Sequence, residues 1–185
     1  MVAPFILLML SLLVVVAGLI DPALPDIWLV SVPAALASLF LLWRGWRNRP
    51  QAQRWIVVDG SNVLYWKDNT PEIATVREVV VHLAKLGFTP GVVFDANVGY
   101  KIGGKYRHDF ALGRMLGLPE DRVMVVPKGT PADPKLLAAA RDLQAPIVSN
   151  DRFRNWAAAH PEVAEPGRLI RGGYRNGALW LDVEG

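Results

Sequence analysis

The sequence predicts an α/β domain, a parallel sheet flanked by helices, with an appended C-terminal β-hairpin and an N-terminal two-helix transmembrane hairpin. Three observations predict it. Short β-branched runs alternate with helix-length amphipathic segments between residues 54 and 160, the pattern of successive βαβ units. The tail RLIRGGYRNGALWLDV sets apolar residues around Gly-rich and Asn-Gly turn signals, which reads as a β-hairpin. Two uncharged apolar runs, Met1–Ile20 and Ile27–Trp43, open the chain.

The first run has the ~20 residues that a ~30 Å hydrocarbon core requires in a helix, and the second sits at the lower limit. MVAPF carries no Lys or Arg, which disfavours a cleaved signal peptide. Hydrophobicity all round both runs disfavours a buried hairpin in a soluble core. The connecting DPALPD holds Asp21 and Asp26 but no base, whereas Arg44, Arg47 and Arg49 follow the second run beside Trp43 and Trp46. Bases at one membrane end predict that both termini are cytoplasmic. The expected organisation is therefore residues 1–43 as two transmembrane helices in a lipid bilayer, 44–53 as a basic juxtamembrane linker, and 54–185 as the folded domain. The expected location is a cell membrane, multi-pass, with that domain on the cytoplasmic side.

Within the domain, WIVVD (55–59) reads as a buried strand, being short and β-branched. Thr70-Pro71 then reads as N-cap and first helical residue. Ile73, Val76, Val80, Leu83 and Ala84 form the apolar stripe, and Gly87 stops the helix. GVVFD (91–95) is a second strand, Lys105–Leu116 a basic helix ended by Gly117, and RVMVV (122–126) a third strand. Asp133-Pro134 opens a helix carrying Leu136, Leu137, Ala140 and Leu143; PIVSN follows as a fourth strand and Arg152–His160 as a short helix.

The chain of 185 residues contains 20 Lys and Arg against 17 Asp and Glu, and no cysteine. The missing cysteines exclude disulfides and thiolate metal sites. So slight a positive excess does not by itself specify a nucleic-acid partner.

The acids carry the chemistry. Asp59, Asp95 and Asp151 each end or directly follow a predicted strand, and Asp133 begins the helix leading into the fourth. In open α/β sheets the carboxyl ends of parallel strands share one edge, where ligands bind. Four carboxylates on one rim repel one another unless a cation sits among them, and Mg²⁺ or Mn²⁺ is the hard ion suited to carboxylate and water oxygens. Asp133 also fits a plain helix cap, and Asp95 a turn. Beside the acids, Gly60 lets backbone approach a ligand. Asn62 can hold a water or a phosphate oxygen, and Ser149 and Asn150 offer similar groups. Arg152 and Arg154 flank Asp151. Lys101, Lys105, Arg107, His108 and Arg114 cluster near Tyr100 and Tyr106. That mixture suits phosphates and unpaired bases, and equally a solvated helix face. His82, His108 and His160 are scattered, which speaks against histidine catalysis.

VVDGSN (57–62) and VSNDRFRN (148–155) resemble the signature motifs of NYN-domain ribonucleases of the Regnase (Zc3h12a-like) type, within the PIN-like nucleases. The resemblance covers roughly residues 54–160, and the step from Asp133 to Asp151 matches the family's spacing. It implies a PIN-like sheet and Mg²⁺- or Mn²⁺-assisted endoribonuclease hydrolysis of RNA, with single-stranded RNA the expected partner. Asp59 would be the central metal-binding acid, Asn62 its neighbour on substrate or water, Asp133 the second acid and Asp151 the third. Asp95 would add metal-site charge. Asn62, Ser149, Asn150, Arg152, Arg154, Asn155, Lys105 and Arg107 would line the substrate path. Two positions depart from the family: Ala132 and Asn155 stand where acids are usual. They keep open a membrane-tethered RNA-binding module with little turnover. A haloacid-dehalogenase phosphatase, which also begins from a strand-end Asp, requires a second Asp where this chain has Ser61.

Overall fold

The computed structural model describes residues 2–20, 28–47 and 53–183. The chain divides into two compact units, Met1–Ala52 and Gln53–Gly185.

In the first unit, α1 (Val2–Ile20) and α2 (Trp28–Arg47) pack against each other. Ser11, Ser31 and Ser38 are buried, and Ser11 Oγ donates to Leu7 O at 2.8 Å. The transmembrane expectation is overturned, because among the described residues no helix is long and apolar enough to cross a membrane. Pro33 lies inside α2, where it removes a backbone donor, and Arg44 and Arg47 occupy the last turn. The lipid-bilayer partner, the multi-pass membrane location and the cytoplasmic orientation drawn from residues 1–43 fall with it. The DPALPD segment, Arg49 and most of the NRPQAQ linker lie outside the described residues.

The second unit is built on a five-stranded parallel sheet in the order β3-β2-β1-β4-β5. The strands are β1 (Arg54–Asp59), β2 (Phe88–Phe94), β3 (Val123–Val125), β4 (Ile147–Val148) and β5 (Leu169–Ile170). Side chains alternate between faces along each strand. Ile56, Val58, Val92, Phe94 and Val148 therefore face α4 (Ile73–Lys85) and α6 (Asp109–Leu116) in one core. Val57, Val93 and Ile147 join Leu136, Leu137 and Ala140 of α7 (Ala132–Asp142) in a second core on the other face. The hairpin β6 (Gly172–Arg175) and β7 (Ala178–Leu181) closes through Asn176-Gly177, both at positive φ, the turn that its sequence predicts.

Local interactions move several boundaries. Residue 72, not Thr70, caps α4, because Glu72 N–H is taken by Leu64 O at 3.1 Å and holds the chain extended there. The helix expected over Lys105–Leu116 is shortened to α6, which starts at Asp109, and a further helix, α5 (Val98–Gly103), precedes it. Residues 105–107 fold back over Gly99, where a Cβ would lie 2.4 Å from Lys105 O, so only glycine admits the break. The helix expected over Arg152–His160 shrinks to a single 3-10 turn, Arg154–Trp156. Asp151 Oδ1 accepts the Phe153 N–H at 2.8 Å, and Phe153 is left-handed at φ 49°. Asp151 and Asn155 therefore do not share a helix face. Strand β5 is an addition that the tail's turn signals concealed.

Candidate active site

The chain runs outward from the central β1 through β2 to β3, then crosses under α7 to β4 on β1's other side. The order reverses between β1 and β4, and such a switch point opens a crevice at the strands' carboxyl ends. Asp59 is the last residue of β1, and Ser149 follows β4 directly.

Asp59 is buried, yet it is held by two hydrogen bonds. Asn62 N–H donates to Oδ1 at 3.0 Å as the cap of the one-turn α3 (Gly60–Val63), and Ser149 Oγ–H donates to Oδ2 at 2.8 Å. Gly60 allows this turn against the sheet, since a Cβ there would meet the Phe94 ring at 2.3 Å. Ser61 Oγ accepts the Asp95 N–H at 2.8 Å and so joins the ends of β1 and β2. Burial pushes the Asp59 carboxyl up to about 6. The charges of Asp133 and Asp95 push the same way, against the two hydrogen bonds. Asp133 is also raised, by burial and then by Asp151 and Asp95, although Trp156 Nε1–H donates to its Oδ2 at 3.2 Å. The four aspartates thus share one electrostatic field. Among the described residues the ion pairs join Arg141, His160 and Arg168 to Glu162 and Glu165, and none reaches these acids.

Asn62 is oriented by its neighbours. Trp66 Nε1–H at 2.8 Å and Asn150 N–H at 3.0 Å both donate to Asn62 Oδ1. The carbonyl end is saturated, so the NH₂ end alone is left for a ligand. Ser149 is fully buried and accepts the Asp151 N–H at 3.1 Å while donating to Asp59. It positions two acids and cannot meet a substrate. The Asn150 side chain is spent on Gly172, donating to its O at 2.9 Å and accepting from its N at 3.3 Å. Its work is to tie the hairpin to the sheet. Asp133 does not cap α7: Pro131 holds that position, and the carboxylate lies in the first turn, where the helix dipole favours a negative charge.

Asp133, Asp151, Arg152, Arg154, Asn155 and Trp156 line an open crevice of about 440 Å³. Asp151, Arg152, Arg154 and Asn155 are exposed there. Lys105 and Arg107 belong instead to the α5–α6 connection, and Arg107 lines a different cleft. Sequence reasoning missed Trp66 and Trp156, whose indole N–H groups hold Asn62 and Asp133. The only available signal was that tryptophan, a donor without an acceptor, stands near each motif.

The oxygen donor set suits a hard divalent cation. Among the described residues, however, no three His, Asp or Glu side chains are grouped closely enough to hold one directly. An ion would reach part of the set through water, the mode that Mg²⁺ favours.

Two solved structures of proteinaceous RNase P 2 (PRORP2) from A. thaliana share the fold. One matches with a TM-score of 0.54 at 16% identity, the other with 0.53 at 18%. Each match covers 77% of this chain but only 32% of the solved chain, so this chain spans about a third of that length. No curated protein matches the sequence. The profile of the Zc3h12a-like Ribonuclease NYN domain matches residues 52–174. With well over half of its length matched and the DGSN and SNDR segments meeting at one switch point, the chain belongs to the family of Zc3h12a-like ribonuclease NYN domains.

Proposed function

We propose that the protein is a metal-dependent endoribonuclease whose cleavage site is the rim of Asp59, Asp95, Asp133 and Asp151. The observation that supports this reading is the uncompensated acidic field at Asp59. Burial and two neighbouring carboxylates hold its carboxyl at about 6, with no cationic partner among the described residues. A buried acid raised by burial and like charges at the mouth of a crevice is a candidate functional position. Asp59, Asp133, Asp95 and Asp151 would hold Mg²⁺ or Mn²⁺, in part through water. When bound, the ion supplies Lewis-acid activation of water and screening of phosphoryl charge. The chain's own groups do the rest. Ser149 and the Asn62 amide N–H fix the Asp59 carboxylate. The free Asn62 NH₂ donates to a phosphate oxygen, and Arg152 and Arg154 offer charge-assisted donors beside the acids.

A second reading, an RNA-binding module of low turnover, draws on one observation: the acids are not grouped tightly enough for direct ligation, and Ala132 supplies no further carboxylate. Incubating the full chain with single-stranded RNA in Mg²⁺ or Mn²⁺, then in EDTA, decides between them. Cleavage that stops in EDTA supports the enzyme; binding with no cleavage in either metal supports the module.

A further inference from the structure

An acidic rim repels the polyanion it would cleave, so RNA must be held by cationic surface nearby. Residues 98–117 have the required composition: Lys101, Lys105, Arg107, His108 and Arg114 face one acid, Asp109. Even that carboxylate is occupied, accepting the Val125 N–H at 2.8 Å. This bond ties the start of α6 to the end of β3, while α5 begins shortly after Asp95 at the end of β2. The segment therefore lies along the same edge of the sheet as the aspartates.

Three aromatic rings stand out of it: Tyr100 is 59%, Tyr106 56% and Phe110 49% exposed. Phe110 flanks an open cleft of about 490 Å³, lined with Arg107, His108, Ala111, Arg114 and Met115 and by no acid. The His108 and Phe110 rings stack at 6.3 Å and 30°, and the Arg114 guanidinium stands 6.0 Å from the Phe110 centroid. Arg107 Nε is shielded from solvent and has no hydrogen-bond partner among the described residues. Exposed aromatic faces offer stacking platforms to unpaired bases, and cations between them suit a ligand with regularly spaced negative charge.

We infer that the α5–α6 surface is a binding site for single-stranded RNA, separate from the aspartate rim. It takes phosphates on Lys101, Lys105, Arg107 and Arg114 and stacks an unpaired base at Phe110. Duplex RNA buries its base faces and cannot use the rings. The inference rests on the ribonuclease reading of the rim, for which it supplies the strand's path.

The test is binding of a short fluorescent uridine oligonucleotide to the full chain in EDTA, followed by anisotropy. Phe110→Ala is expected to weaken binding by about 5- to 100-fold, the range of one lost stack. Phe110→Trp should retain near wild-type affinity. Arg114→Gln should flatten the slope of log K against log salt by about 0.7, one phosphate contact on a single strand. Wild-type affinity in Phe110→Ala, equal losses in the Ala and Trp variants, or duplex RNA bound as tightly as the single strand would each overturn the inference. Adding Mn²⁺ separates it from the reading of the rim. Ring-dependent binding without cleavage keeps this surface and removes the catalytic rim. Cleavage with ring-independent binding does the reverse.

Discussion

Ser149 donates its hydroxyl to Asp59 Oδ2 at 2.8 Å, across a sequence separation of 90 residues. Ser149 Oγ in turn accepts the Asp151 N–H at 3.1 Å, so one buried hydroxyl joins the first of the four rim aspartates to the last. Both bonds form where β1 and β4 lie side by side, Val58 opposite Val148. The link therefore reports on the switch point itself, and four expected outcomes follow from it and its neighbours.

Ser149→Ala removes a hydrogen bond that lowers the Asp59 carboxyl. With burial and the Asp133 and Asp95 charges still raising it, Asp59 should ionise at a pH above about 6. On the proposed metal-dependent mechanism the ionised form holds the cation, so the acid limb of cleavage should move to higher pH. A pH–rate profile at fixed low Mn²⁺ measures this. A profile that drops in height without moving would make Ser149 a packing residue only.

Asp59→Asn should abolish cleavage and leave the domain folded. The folded carboxyl binds its proton more tightly than the usual 3.8, so its stabilising contribution is full below that value. It is lost as pH rises through about 6, by at most about 3 kcal/mol. Urea melts in EDTA at pH 4 and pH 7 should show the wild type losing more stability than Asp59→Asn across that window. Parallel losses would refute the buried-acid account.

Trp66→Phe keeps the ring and deletes the indole N–H that turns the Asn62 amide. We expect kcat to fall about tenfold, near the ~1.4 kcal/mol of one oriented hydrogen bond, with KM little changed. Asn62→Asp keeps the acceptor for Trp66 and Asn150 but loses the donating NH₂, and should be slower still. Full activity in Asn62→Asp would show that the donor end does no chemistry.

Gly60→Ala places a Cβ against the fully buried Phe94 ring. The overpacked ring must shift, at about 1–3 kcal/mol, and it drags the Asp59 turn with it. Thermal melting and cleavage should fall together. An alanine variant with unchanged Tm would mean that the α3 turn stands farther from β2.

Sequence alone determined the alternation of elements, since a β-branched run such as WIVVD and an apolar stripe such as Val76–Val80–Leu83 differ in period before any contact forms. It also determined the Asn176-Gly177 hairpin, because two successive positive φ values demand those residue types. The strand-end positions of Asp59 and Asp95 were equally legible, as turn chemistry is local. Tertiary structure decided what depends on partners distant in sequence. Ser149 and Asn150 read as ligand-binding groups until β4 met β1 and the hairpin, where one was buried on Asp59 and the other spent on Gly172. Trp66 and Trp156 carried no signal, because a lone indole donor acquires its acceptor only on folding. Residues 152–160 kept helical composition but lost the helix to one Asx bond at Asp151 and a left-handed Phe153. The apolar opening runs misled for a related reason: composition counts apolar residues, whereas crossing a bilayer requires length and apolar character together in one helix. Among the described residues no helix combines the two, and α2 carries Pro33 within it and Arg44 and Arg47 in its last turn.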